Sequence, residues 1–179
     1  MANGTLKVGT ITTSSGSGTI TLGQSGETLA LGSGVTSKFN QPAFQAYIGT
    51  QQSISTSTST KIAYNTEIFD TDNMYDATTN YRFTPTIAGK YLVYARYRIS
   101  AGGERDQISI YKNGSEFARS TQNGPSQLTS SVITEILTLN GSTDYIEAYA
   151  WHNNGSTQHL DEGTSPHFST FGAYRIGVE

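Results

Sequence analysis

The chain has 179 residues, of which 35% are hydrophobic and only 14% charged, and its formal net charge is -3. The absence of cysteine excludes disulfides and thiolate metal sites. The mildly acidic balance argues against duplex nucleic acid as the main partner, and no run approaches the ~18 apolar residues of a membrane-spanning helix. With Thr 26, Ser 21, Gly 19, Tyr 11 and Phe 7, this is the mixture of a β protein: turn formers, β-branched residues and aromatics in place of straight-chain helix formers.

In chain order, residues 1–38 come first. They contain no aromatic residue and only Lys7, Glu27 and Lys38 as charges. Short alternating pieces recur at 5–8, 19–22 and 28–31, each flanked by Gly and Ser. Such strands have one thin apolar face and gain a core only by stacking on neighbours or on other chains. A flexible Gly/Ser/Thr linker is the other reading of this composition. Residues 1–30 show no basic segment followed by a solid apolar stretch, so no secretory leader is expected.

From residue 39 onward aromatics appear every few residues, so a 1–38 arm and a 39–179 head are expected. Strands are predicted at 44–48 and 61–69, with a polar edge strand or loop at 53–60. The strongest pattern is 91–99, with Tyr91, Val93, Ala95, Tyr97 and Ile99 on one face and Leu92, Tyr94, Arg96 and Arg98 on the other. Residues 107–112 and 116–119 flank Asn113-Gly114, a hairpin signal because both residues tolerate positive φ. The pattern recurs with 131–139, Asn140-Gly141 and 144–151, which predicts a second hairpin. Val132, Ile133, Ile136, Leu137 and Leu139 place apolar groups on both faces of 131–139, so this strand is expected to be buried on both sides. A last strand is predicted at 168–176. Eight or more strands without a credible helix predict an all-β antiparallel sandwich.

At residues 83–93, FTPTIAGKYLV, the sequence resembles the globular heads of complement C1q and the tumour necrosis factor-like domains. Further pieces fit that family in order: 42–46, 68–76, Lys112-Asn113-Gly114, 130–141, and the closing FSTFGAY at 168–174. The likeness covers roughly residues 42–177. It departs at 140–144, which lacks the usual Gly-Asp pair, and no Gly-X-Y stalk precedes it. The resemblance implies a ten-strand jelly roll that assembles as a homotrimer. Leu92, Tyr94, Tyr145, Tyr149 and Trp151 are the candidates for the intersubunit face; the alternative is that Trp151 and some of the tyrosines cover one edge of a single sandwich. Residues 1–38 resemble, in composition, the N-termini of bacteriophage fibre and decoration proteins.

Little points to catalysis. The chain has no G-x-S-x-G, G-x-G-x-x-G, P-loop or H-E-x-x-H, and no paired-carboxylate constellation of the kind a depolymerase needs. No catalytic residue or cofactor is expected. His152, His159 and His167 read as solvated loop residues. Asp70, Asp72 and Asp76, with Asn73, are hard oxygen ligands that would suit Ca2+, and the C1q-like resemblance adds weight to that. A polar turn in which carboxylates cap backbone amides is the competing reading. Asn3, Asn113, Asn140 and Asn154 fit the glycosylation sequon but also fit turns. Arg96, Arg98 and Arg105 could contact Glu104, Asp106 or a partner subunit.

The expectation is therefore a bacteriophage virion structural protein on the particle exterior, a trimeric head-decoration, head-fibre or short-fibre protein held to a capsid or tail protein by its N-terminal arm. At ~3.3 Å per residue the arm reaches at most ~125 Å, which favours a decoration or head-fibre role. The alternative is an adhesin for a host surface glycan or protein, with Tyr145, Tyr149 and Trp151 stacking on sugars. Neither nucleic acid binding nor membrane insertion is expected.

Overall fold

The computed structural model describes residues 41–101, 104–123, 128–163 and 165–177, together with Ile11 and Ser33. The chain divides into two units, Met1–Phe39 and Asn40–Glu179; the strands expected in the arm, and Asn3, lie outside the described residues. Among the described residues there are thirteen strands and no helix: β1 (Ala43–Tyr47), β2 (Gln52–Ile54), β3 (Thr60–Lys61), β4 (Thr66–Asp70), β5 (Tyr75–Asp76), β6 (Arg82–Phe83), β7 (Gly89–Ile99), β8 (Asp106–Lys112), β9 (Ser115–Gln122), β10 (Thr129–Leu139), β11 (Ile146–His152), β12 (Gln158–Leu160) and β13 (Thr170–Gly177).

Two antiparallel sheets form a jelly-roll sandwich. The first runs β2, β12, β7, β13, β1, β4, and β10 pairs with β7 opposite β13. The second runs β5, β6, β11, β8, β9, with β3 also on β11. The period of two does its expected work in β7: Tyr91, Val93, Ala95, Tyr97 and Ile99 are fully buried, and the intervening side chains face outward.

The core between the sheets is aromatic. Phe44 of β1 stacks on Tyr75 of β5 at 4.5 Å and on Phe83 of β6 at 4.6 Å, and meets Phe171 of β13 edge-on at 5.0 Å. Tyrosine suits such a core only when its hydroxyl finds a partner. Here the hydroxyls of Tyr64, Tyr75, Tyr91 and Tyr97 donate to the carbonyls of Arg96, Tyr64, Ile87 and Gln107 at 2.7–3.0 Å. The Tyr97 bond runs from the first sheet to the second. Burial pushes the Tyr91 phenol up to about 12, and those of Tyr64, Tyr75 and Tyr97 upward as well.

Three expectations need correction. The predicted 61–69 strand is two pieces, because the chain leaves the second sheet at β3 and enters the first at β4. Ile62 and Tyr64 are fully buried on the way across, and the Ala63 amide is met by the Gln52 side chain at 2.8 Å instead of by a ladder. Asn113-Gly114 does close a hairpin, with φ 53 and 77, but Asn140-Gly141 does not. β10 pairs in the first sheet and β11 in the second, so this turn carries the chain between layers. The Asn140 carboxamide oxygen accepts the amides of Ser142, Thr143 and Asp144 there, and Gly141 lies at φ 67 against the backbone of Ile87 and Ala88, where a side chain would collide. Finally, β10 is buried on one side only: Ile133, Leu137 and Leu139 face the core, while Val132 and Ile136 are 56% and 55% exposed. Among the described residues nothing covers Val132 and Ile136 on the second face.

Candidate functional site

Cross-strand register builds the outer face of the first sheet. Ile136 of β10, Leu92 of β7 and Tyr174 of β13 are direct partners in one row. The next row is Thr134, Tyr94, Gly172, Gln45 and Phe69, and the next includes Val132, Arg96, Thr170 and Tyr47. Ile136, Tyr174, Ile176 and Phe69 are all more than 40% exposed. The result is a contiguous apolar and aromatic sheet face open to solvent.

Gly172 shapes this face. A Cβ at that position would overlap the Tyr94 ring and hydroxyl, so the glycine leaves room for Tyr94 to lie across β13, an aromatic covering a bare backbone. Half-burial in this position raises the Tyr94 phenol above its usual value, opposed by the nearby Arg96. Gly172→Ala should cost about 1–3 kcal/mol in urea denaturation by forcing the ring off the sheet. In the Tyr94→Ala background the same change should be nearly neutral; equal losses in both backgrounds would show that the ring does not depend on the glycine.

Away from this face Leu128, just before β10, and Phe117 of β9 are exposed singly, at 56% and 50%. Phe117 is the extra residue of a bulge, since Ile110 pairs with Ala118 and Tyr111 with Glu116. On the far edge of the first sheet Ile68 is likewise the extra residue between pairs Gln45–Phe69 and Ala46–Glu67.

The five predicted interface residues do not form one surface. Leu92 and Tyr94 lie on the apolar face just described. Tyr145, Tyr149 and Trp151 belong to the second sheet, on or beside β11. Alternation along the chain placed each side chain outward correctly but could not say which of two sheets its strand would join. The residues that the sequence reading missed, Ile136, Tyr174 and Phe69, were legible only as members of strands. The both-faced apolar pattern of 131–139 was the signal for the first of them.

Other candidates resolve into structural roles. Asp70 accepts the amides of Asp72 and Tyr75 at 3.2 and 2.7 Å. Asp76 accepts the amides of Thr79, Thr78 and Asn80 and the side chains of Asn80 and Thr78. Those hydrogen bonds, Thr79 and Thr78 foremost, hold its carboxyl well below the usual carboxylate range. Asp70 and Asp76 therefore cap backbone amides, Asp72 accepts the Thr71 hydroxyl at 2.8 Å, and among the described residues no group of three acidic or imidazole side chains converges on a cation position. The expectation of solvated loop histidines fails for His152, while His159 and His167 are partly exposed. His152 is fully buried, its Nε2 donating to the Ile54 carbonyl at 3.3 Å and its Nδ1 accepting from the Asn154 amide. His159 meets Ser53, and His167 lies against the Tyr47 ring at 4.2 Å. Arg98 pairs with Asp161 at 2.6 Å and lies 3.2 Å over the Phe168 ring. Arg96 donates to Thr170 and to the His167 carbonyl, so both find partners within the chain.

No protein-family model matches the chain, and no curated protein matches it significantly in sequence. Solved structures do resemble it. Murine APRIL at pH 5.0 superposes with a TM-score of 0.58 at 15% identity, covering 76% of this chain and 99% of that one. Eiger TNF from S. frugiperda gives 0.56 at 10% identity, covering 78% and 93%. At these identities the likeness establishes the fold: the head is a TNF-like jelly roll.

Proposed function

We propose that the chain is a bacteriophage virion structural protein, a homotrimeric head-decoration, head-fibre or short-fibre protein. Residues 1–38 would attach it to a capsid or tail protein, with the jelly-roll head outward on the particle. Its work is association, and it needs no cofactor or metal. The observation that carries this reading is the exposed apolar outer face of the first sheet. Uncovered apolar surface of this extent marks an association site. A two-fold dimer would match one patch with itself. An interface joining two different patches is heterologous and closes into a ring when the rotation allows. The face with Leu92, Tyr94, Ile136 and Tyr174 would supply one side of such a ring. Support for the virion role comes from the Gly/Ser/Thr-rich composition of residues 1–38, with its regularly placed Leu and Ile.

The test is incorporation. The full chain should sediment as three copies of 19.3 kDa and decorate phage particles that lack it. Deleting residues 1–38 should leave a soluble trimer that no longer incorporates. A truncated protein that still decorates particles overturns the anchoring role, and a dilution-indifferent monomer overturns the assembly.

A further inference from the structure

The outward face of the second sheet has a different chemistry. Across β11 and β8, Tyr149 and Tyr111 stack at 4.0 Å with an interplanar angle of 27°. Trp151 lies two residues along from Tyr149 on the same face, and the Arg82 guanidinium lies 4.5 Å from the Tyr145 ring. All four aromatics are partly exposed. Between and beneath them are polar groups withdrawn from water on an outward face: Glu147 is 4% exposed and Ser109 6%. Glu147 binds Lys61 at 2.5 Å, Ser109 donates to Glu116 at 2.7 Å, and Arg119 grips both oxygens of Glu116.

We infer that this face binds a neutral oligosaccharide or polysaccharide chain. Charge balance selects the ligand class. Lys61 is matched by Glu147 and Arg119 by Glu116, which leaves Arg82, seated over the Tyr145 ring, as a single unmatched cation, too little to hold a polyanion. None of the exposed large hydrophobic residues lies on this face except Phe117 at its edge, so a dry protein partner finds no aliphatic core to bury. A neutral sugar chain presents C–H faces to aromatic rings and hydroxyls to the paired ions between them, and it needs both on one surface. From Tyr145 to Trp151 the span is roughly 20 Å at ~3.3 Å per residue, room for several sugar rings. Tyr and Trp supply such contact area at low conformational cost. This inference uses the sheet opposite the apolar face and does not rest on the trimeric or virion reading.

Trp151 is the only tryptophan, so its emission reports on this face. The full chain is titrated with cellohexaose, xylohexaose, maltohexaose and chitohexaose, with calorimetry in parallel and heparin as the charged comparator. At least one neutral hexaose should produce a saturable change at millimolar concentration or below. Tyr149→Ala and Tyr111→Ala, each checked for unchanged circular dichroism and native mass, should weaken it about tenfold or more, and Tyr149→Phe should not. The inference is overturned if no neutral hexaose gives heat or an emission change, if binding survives both alanine substitutions, or if only heparin binds and is released by salt.

Discussion

Phe171→Ala should remove about 3–5 kcal/mol of stability, read from urea denaturation at fixed protein concentration. The residue is fully buried and holds three other rings: Phe44 edge-on at 5.0 Å, Tyr64 at 5.5 Å and Tyr75 at 6.0 Å. Phe44 and Phe171 come from the first sheet and Tyr75 from the second, so the cavity would open where the layers meet. Rings that interlock in this way cannot collapse into the space without giving up their hydroxyl bonds, Tyr64 to Arg96 and Tyr75 to Tyr64. A domain has about 5–15 kcal/mol to lose, so the variant should unfold near or below ordinary working temperatures. Phe171→Leu, which keeps most of the volume, should cost clearly less. A loss under about 1 kcal/mol for the alanine variant would mean that the aromatic cluster is not what holds the sheets together.

The second large effect concerns assembly without unfolding. Ile136→Asp and Tyr174→Asp each put a carboxylate beside Leu92, in the row shared by β10, β7 and β13. In one copy both positions are open to water, 55% and 45% exposed, so the fold tolerates the charge. In an assembly that covers this face the carboxylate loses its hydration without gaining a partner, a penalty of about 2–5 kcal/mol per interface. The native mass should fall from three copies to one at micromolar concentration, with circular dichroism unchanged. A trimer that survives both substitutions would place the contact elsewhere on the head.

Much of the head could be read in the sequence because alternation is a local property. The two faces of β7 and the Asn113-Gly114 hairpin follow from neighbours along the chain and from turn chemistry. The errors share one cause. Period two says which side chains share a face, not which sheet a strand joins. The Asn140-Gly141 turn has hairpin chemistry but links two layers. Residues 61–69 read as one strand although they cross the core. Tyr145, Tyr149 and Trp151 look like Tyr94, since an exposed tyrosine is equally at home on either outer face. The segment 70–76 reads as either a cation loop or a capped turn; the choice depends on where the Asp76 oxygens aim, and they aim at amides.

The bulges at Ile68 and Phe117 have a consequence for how the head can meet another strand. Each interrupts an edge ladder with an unpaired residue and bends the strand. An incoming strand could not extend the sheet past that point in register. At β4 and β9 a neighbouring head could therefore make contact through side chains, but not by lengthening the ladder past the bulge.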